Sequence, residues 1–415
     1  MFKKAAALGL AFALLSSPMF ANEGDVPKGV PHLDHVFVIM MENHAYGQIV
    51  GNPSAPFANS YMKSANAANN YFAVAHPSLT NYLEVVGGSN FGVLNDNSPD
   101  WHNSNCVTNL ASKIIDYDNN ANPVCPIWGT GTDAATPTFD FTNETTPPSI
   151  NEVTNIDGIE SIPAAANTSG KTIADQLVER GMSWKSYQES LPSAGADGVN
   201  NADGFFSNLI PVTSLLPNEA QTLINLYAVK HNPFAYFLSV EQGADPKNSL
   251  SNMAGFEGSH GLFEDLASGQ VPNYAFIAPN QCNDQHGRGN AGPLCESDPS
   301  SLGTQVGLNP ALIYQGDLTI RNLVKAIHAS PVWQDGHNAI VVLWDENDYS
   351  ATPNVNQVLL IVDTNYGAHR LQSAQRYTHF SLLKSIEAGF GLPCLNHACD
   401  ENVKVMGDLF GHSHE

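Results

Sequence analysis

Four short segments gather acids, histidines, amides and hydroxyls. They are Glu42-Asn43-His44-Ala45-Tyr46, His76-Pro77-Ser78-Leu79-Thr80-Asn81-Tyr82, Asn280-Gln281-Cys282-Asn283-Asp284-Gln285-His286 and Asp345-Glu346-Asn347-Asp348, with a lone His379 after them. Adjacent carboxylates such as Asp345 and Glu346 repel each other unless positive charge lies between or beside them. The chain carries only 17 Lys and Arg against 40 Asp and Glu, so the expected partner is a divalent cation. Carboxylate oxygen, amide oxygen and imidazole nitrogen form a donor set suited to Zn, Mn, Fe, Ca or Mg. A serine or threonine hydroxyl beside such a cation loses its proton more readily and becomes a nucleophile. Neighbouring Asn and His side chains would hold the charge of a transferring group. These residue types predict metal-assisted phosphoryl or sulfuryl transfer.

Each segment also has a plainer reading. Asp345 to Asp348 could be an acidic strand-to-loop turn, and Ser78 could cap a helix beginning near Leu79. The second role is compatible with chemistry, because a helix N-terminus also favours an anionic phosphoryl group. His44 and His76 are equally compatible with hydrogen-bonded scaffold, and His231 is expected near the pocket, with a structural hydrogen bond as its competing role. His328, His337, His369, His397, His412 and His414 belong to no motif and are expected at the surface.

The elements that must position these residues are legible as apolar runs. His35–Met41 is nearly continuous, as expected of a strand buried on both faces. Similar runs occur at Tyr274–Ala278, Ala339–Trp344 and Val358–Val362, and they end in Asn280, Asp345-Glu346 and Asp363. Helical spacing recurs at Thr172–Arg180, Asp317–His328 and His379–Phe390, two of them stopping at Gly181 and Gly391. This alternation predicts an α/β fold, a central and mostly parallel sheet with helices on both faces. Ligands of such sheets sit at the carboxyl ends of the strands, where the carboxylates fall. Residues 92–168 are rich in Asn, Thr, Pro, Asp and Gly and read as a long loop-rich insertion.

The same segments carry a family resemblance. The chain resembles the phosphoesterase family that unites bacterial phospholipases C with a branch of acid phosphatases, itself similar to the alkaline-phosphatase superfamily. The likeness rests on the four segments, on Tyr377-Thr378-His379-Phe380-Ser381-Leu382-Leu383 and on Gly391-Leu392-Pro393. Trp184-Lys185-Ser186-Tyr187-Gln188-Glu189 and Lys230-His231-Asn232-Pro233 add to it. It runs in order from about residue 33 to 395 and implies an alkaline-phosphatase-like sheet. It implies one or two divalent metal ions, with Glu42, Asn43, Asp345 and Glu346 as ligands and the Ser78 hydroxyl facing the metal as nucleophile. Asn81, three residues on, would contact the phosphoryl oxygens. Thr80 competes for the nucleophile role and departs from the family, which usually has Pro there. Asp284, His286 and His379 fit a second metal site or phosphate-binding and acid roles. The implied activity is that of an acid phosphatase on small phosphomonoesters, through a phosphoseryl intermediate. Competing readings are a phospholipase C on phosphatidylcholine or sphingomyelin, and a silent exported protein that binds a metal or ligand.

Composition narrows the partners. Charged residues make up 14% of the chain and its net charge is −23. With no basic stripe to neutralise phosphates, nucleic acid is not an expected partner. Hydrophobic residues at 42% and aromatics at 9% are enough to bury a substantial core, which excludes disorder as the main state. Lys3 and Lys4 precede an apolar run, Ala5–Leu15, and a small residue at Ala21. This pattern predicts a signal peptide over 1–21, hence an exported protein, periplasmic or secreted. Residues 22–415 are then read as a single domain carrying the insertion. No later stretch approaches 18 uninterrupted apolar residues, so stable membrane insertion is not expected. Six cysteines in an exported chain point to disulfides, and proximity suggests 106–125, 282–295 and 394–399. The oligomeric state is left open.

Overall fold

A computed structural model describes residues 23–99, 110, 116–117, 123–133, 162–191, 226–288, 291–298, 304–348 and 356–411. The leader 1–21, Cys106 and the tail from His412 lie outside these residues. The strands are β1 (His35–Met41), β2 (Asn66–Phe72), β3 (Trp184–Gln188), β4 (Met253–Ala254), β5 (Tyr274–Ala278), β6 (Asn338–Trp344), β7 (Gln357–Thr364), β8 (Gln372–Ser373) and β9 (Tyr377–Thr378). They form one nine-stranded sheet in the order β8–β2–β7–β6–β1–β5–β3–β4, with β9 also paired to β2. The longer helices are α1 (Pro56–Ser64), α2 (Ser78–Gly87), α3 (Ile173–Glu179), α4 (Leu262–Ser268), α5 (Pro310–Ala329) and α6 (His379–Phe390).

At the centre, β1 pairs in parallel with β5 on one side and β6 on the other. Every residue of β5 and β6 is buried, as is all of β1 after His35. Since successive side chains point to opposite faces, such unbroken burial means that both faces are covered. α2 packs against α6, and α5 packs against α1 and α4. Among the described residues no helix is long and apolar enough to cross a membrane.

One strand departs from the sequence reading. The run ending in Asp363 buries as predicted, but β7 is antiparallel to both β6 and β2. Its carboxyl end therefore lies at the opposite edge from Asp345. There Asp363 accepts a hydrogen bond from Tyr61 at 2.9 Å and lies 2.9 Å from His328 Nε2. β2 restores the common direction. It has no unbroken apolar run (Asn66-Ala67-Ala68-Asn69-Asn70-Tyr71-Phe72), and it leads into the loop before α2.

The helix ends follow from local chemistry. Thr172 caps α3 by accepting from Ala174 N–H, and Asn309 caps α5, whose first residue is Pro310. α2 stops at Gly88, which has φ +69° and lies where a Cβ would come 2.5 Å from the Leu395 carbonyl oxygen. Only glycine serves both needs. The disulfides Cys282–Cys295 and Cys394–Cys399 are formed as expected. His397, inside the second, is a correction to the sequence reading, being 5% exposed. Its two ring nitrogens lie 2.9 Å from Asp133 and 2.8 Å from Asp400. The ion pairs let a charged ring be buried, and they tie the insertion's Asp133 to the C-terminal loop.

Candidate active site

The parallel strands deliver their carboxyl ends to one edge. Glu42 follows β1, Asp345 and Glu346 follow β6, and Asp284 sits in the loop after β5. Backbone bonds lock these ends together: Glu42 N–H donates to the Asp284 carbonyl at 2.9 Å, and Asp345 N–H to the Met41 carbonyl at 2.9 Å. Asn43 turns the chain out of β1 with φ 54°, a left-handed conformation that asparagine tolerates better than most residues. The turn aims its N–H at Asp345 Oδ1, 3.0 Å away. Asp345 Oδ2 finds no hydrogen-bond partner among the described residues.

Ser78 is the first residue of α2 and is 1% exposed. Its Oγ donates to Glu42 Oε2 at 3.0 Å and lies 3.5 Å from Glu346 Oε1. Thr80 points elsewhere, its hydroxyl donating to the Val93 carbonyl at 3.1 Å. Asn81 is spent on the loop between β2 and α2. Its oxygen accepts from Val74 and Ala75 N–H at 3.1 and 3.0 Å. Its amide nitrogen donates to the Ala75 carbonyl at 2.8 Å and to Glu346 Oε2 at 2.9 Å. His76 Nδ1 reaches the same Glu346 oxygen at 2.9 Å.

Glu42 has a second side. Its Oε1 lies 3.1 Å from Nε2 of His231, whose Nδ1 is 3.2 Å from Asp284 Oδ2. The Tyr82 ring stacks on His231 with centroids 5.1 Å apart and planes 6° apart. His286 donates from Nδ1 to the Gly287 carbonyl at 2.8 Å, which leaves Nε2 as the lone-pair nitrogen, 3.2 Å from Lys230 Nζ. Glu42, His231 and His286 each offer a ligand atom, and these atoms lie within 4.8 Å of one another. His231 lies at the pocket as expected, with no role assigned to it above, and Lys230 falls outside the residue set predicted there. Their one sequence signal is the Lys230-His231-Asn232-Pro233 segment.

His379 sits beneath this group, fully buried. Its Nε2 donates to the Asp345 backbone carbonyl at 2.6 Å, and Nδ1 accepts from Tyr71 OH at 2.8 Å. Burial lowers its pKa to about 4, so the ring is neutral. His44 likewise uses both nitrogens, on the Glu42 carbonyl at 2.9 Å and on Asp298 at 2.7 Å.

The electrostatics follow from crowding. Burial, and next the Asp345 charge, hold the Glu42 carboxyl well above the usual carboxylate range. Burial and Glu42 do the same to Asp284, and burial and Glu346 to Asp345. Such a cluster ionises fully only beside strong positive charge. The unpartnered Asp345 oxygen, the oxygen-and-imidazole donors and the raised proton affinities all suit a divalent cation.

Comparison with known proteins gives the chain relatives and a family. The family model described as Phosphoesterase family matches residues 52–293, more than half of the chain. An acid phosphatase of Aspergillus fumigatus is 24% identical over 348 residues, 83% of this chain and 53% of that protein. The chain therefore spans about half the length of that curated relative. A phosphatidylinositol-3-phosphatase of Mycobacterium tuberculosis is 22% identical over 408 residues, covering 97% of this chain and 92% of that protein. A solved protein in the alkaline phosphatase superfamily from Vibrio parahaemolyticus aligns over 94% of this chain and 76% of its own, with 12% identity and a TM-score of 0.44. The matched family segment holds Ser78, His231, Asp284 and His286, and the chain belongs to the phosphoesterase family.

Proposed function

We propose that the chain is an exported, metal-dependent phosphoesterase of acid-phosphatase type that hydrolyses small phosphomonoesters through a phosphoseryl intermediate. The observation that carries this reading is the Ser78 hydroxyl, bonded to Glu42 at the buried start of α2 among four carboxylates. The relatives named acid phosphatases support the activity. The disulfides and the leader-like first 21 residues support export.

Glu42 Oε2 accepts the Ser78 hydrogen bond and is placed to take its proton. Ser78 Oγ attacks phosphorus, forming the serine–phosphoryl bond and breaking the ester P–O bond, and the alcohol leaves with one proton. Water then attacks the same phosphorus and breaks the serine–phosphoryl bond; inorganic phosphate leaves with the water's oxygen and one of its protons, and the other proton returns to Ser78 Oγ. A divalent ion held by Glu42, Asn43, Ser78, Asp345 and Glu346, with Asp284 and His286 as further ligands, would supply charge to the phosphoryl oxygens and ease ionisation of the serine. Asn81 and His76 hold Glu346 in place, and His379 fixes the Asp345 backbone. The Leu79 N–H at the helix start and the Lys230 ammonium supply donors for an anionic phosphoryl group.

The test is turnover of p-nitrophenyl phosphate by the metal-replete protein, with phosphatidylinositol 3-phosphate and phosphatidylcholine vesicles as lipid arms. Hydrolysis of the monoesters alone is expected. Cleavage of phosphatidylcholine would move the assignment to a phospholipase C, and no turnover on any phosphoester would end the reading.

A further inference from the structure

Asp96, just beyond the short strand Val93–Leu94, reaches back to the amino end of α2. Its Oδ1 accepts the Leu79 N–H at 3.0 Å, and its Oδ2 lies 3.0 Å from Lys230 Nζ. Leu79 directly follows Ser78, so its N–H is one of the helix-start donors nearest the position a phosphoryl group on Ser78 would take. The same ammonium lies 3.2 Å from His286 Nε2. Two donors suited to phosphoryl oxygens are thus already satisfied by a carboxylate of this chain.

We infer that Asp96 is a tethered competitor of the substrate's phosphoryl group, occupying the anion subsite made by Leu79 N–H and Lys230 until a phosphoryl group displaces it. This inference rests on the phosphoesterase reading of the site. Burial explains the need for a resident anion: the Lys230 side chain is 5% exposed, and a buried ammonium with no counter-charge is costly. Burial also says which partner moves. The Asp96 side chain is 14% exposed and sits on a loop, whereas Lys230 is enclosed beside His286. Exchange of one anion for another leaves the ammonium paired throughout. An anionic phosphoryl group can take over both of the donors that Asp96 holds and a neutral one cannot match its charge, so the device selects for anionic phosphomonoesters over uncharged esters. It also sets affinity, because a subsite that is free for only a fraction of the time lowers apparent affinity by that fraction.

The experiment compares wild type with Asp96→Asn and Asp96→Ala, both metal-replete. It measures the dissociation constant of inorganic phosphate by calorimetry and the KM for p-nitrophenyl phosphate. Asp96→Asn keeps an acceptor for Leu79 N–H and removes the charge facing Lys230. Phosphate binding is expected to tighten about tenfold in Asp96→Asn, with KM falling in parallel. Unchanged or weaker phosphate binding in both variants, with the thermal midpoint preserved, would overturn the inference and leave Asp96 as a structural cap that positions Lys230. Absence of phosphate binding in all three proteins would overturn it as well. Calorimetry needs no turnover, so an inactive wild type ends the phosphoesterase reading while phosphate binding still judges Asp96.

Discussion

Ser78 Oγ donates a 3.0 Å hydrogen bond to Glu42 Oε2, while the other oxygen of that carboxylate lies 3.1 Å from His231 Nε2. Glu42 thereby joins two groups at the edge of the sheet, one with Ser78, Asp345 and Glu346 and the other with His231, Asp284 and His286.

Ser78→Ala removes the hydroxyl that donates to Glu42 Oε2, and turnover of p-nitrophenyl phosphate is expected to fall roughly a thousandfold or more. Thr80→Ala should retain most activity, since that hydroxyl faces the Val93 carbonyl, and should lose only about 1 kcal/mol of stability. An inactive Thr80→Ala of normal thermal midpoint, with Ser78→Ala active, would reassign the nucleophile.

His231→Ala leaves Glu42 and Asp284 facing each other without the ring between them. Bound metal, measured by plasma emission, should drop, and activity should fall on the order of 10–100-fold. Normal metal content and activity in His231→Ala would confine the ring to packing under Tyr82.

Chelation should lower the thermal midpoint, because it leaves Glu42, Asp284 and Asp345 crowded without a cation. Their folded pKa values lie above the usual carboxylate range, so the folded apo-protein holds protons that the unfolded chain gives up. Stability of the apo-protein is therefore present at low pH and lost as pH rises. Scanning calorimetry from roughly pH 5 to 8 should show the gap between holo and apo widening. A gap independent of pH would contradict this account.

His397 adds a second loss of stability as pH rises. Hydrogen bonds and charge from Asp133 and Asp400 outweigh burial and raise it from 6.5 to about 10. A raised pKa contributes stability fully below pH 6.5 that is lost as pH climbs towards about 10. Denaturant midpoints should fall across that window in wild type and stay flatter in His397→Asn. The substitution should cost about 3 kcal/mol near neutral pH, because it leaves Asp133 buried without its cation.

The central strands and the chemistry of the edge are legible in the residues themselves. Long apolar runs make β1, β5 and β6 recognisable because burial on both faces demands them, and the acids beyond those runs must then share one edge. Strand direction has no such signature. A buried strand shows the same apolar side chains whichever way it runs, so only the folded sheet places Asp363 at the far edge and Asp345 at the near one. β2 lacks an unbroken apolar run and is recognised only once it is paired. Composition and motif order determine the fold class and the acids, the serine and His286. Tertiary structure decides which distant partners meet them: His231 with Glu42, Asp96 with Lys230, and His397 with Asp133. Those pairs lie far apart along the chain, and only the sheet and the loops packed on it bring their charges within reach.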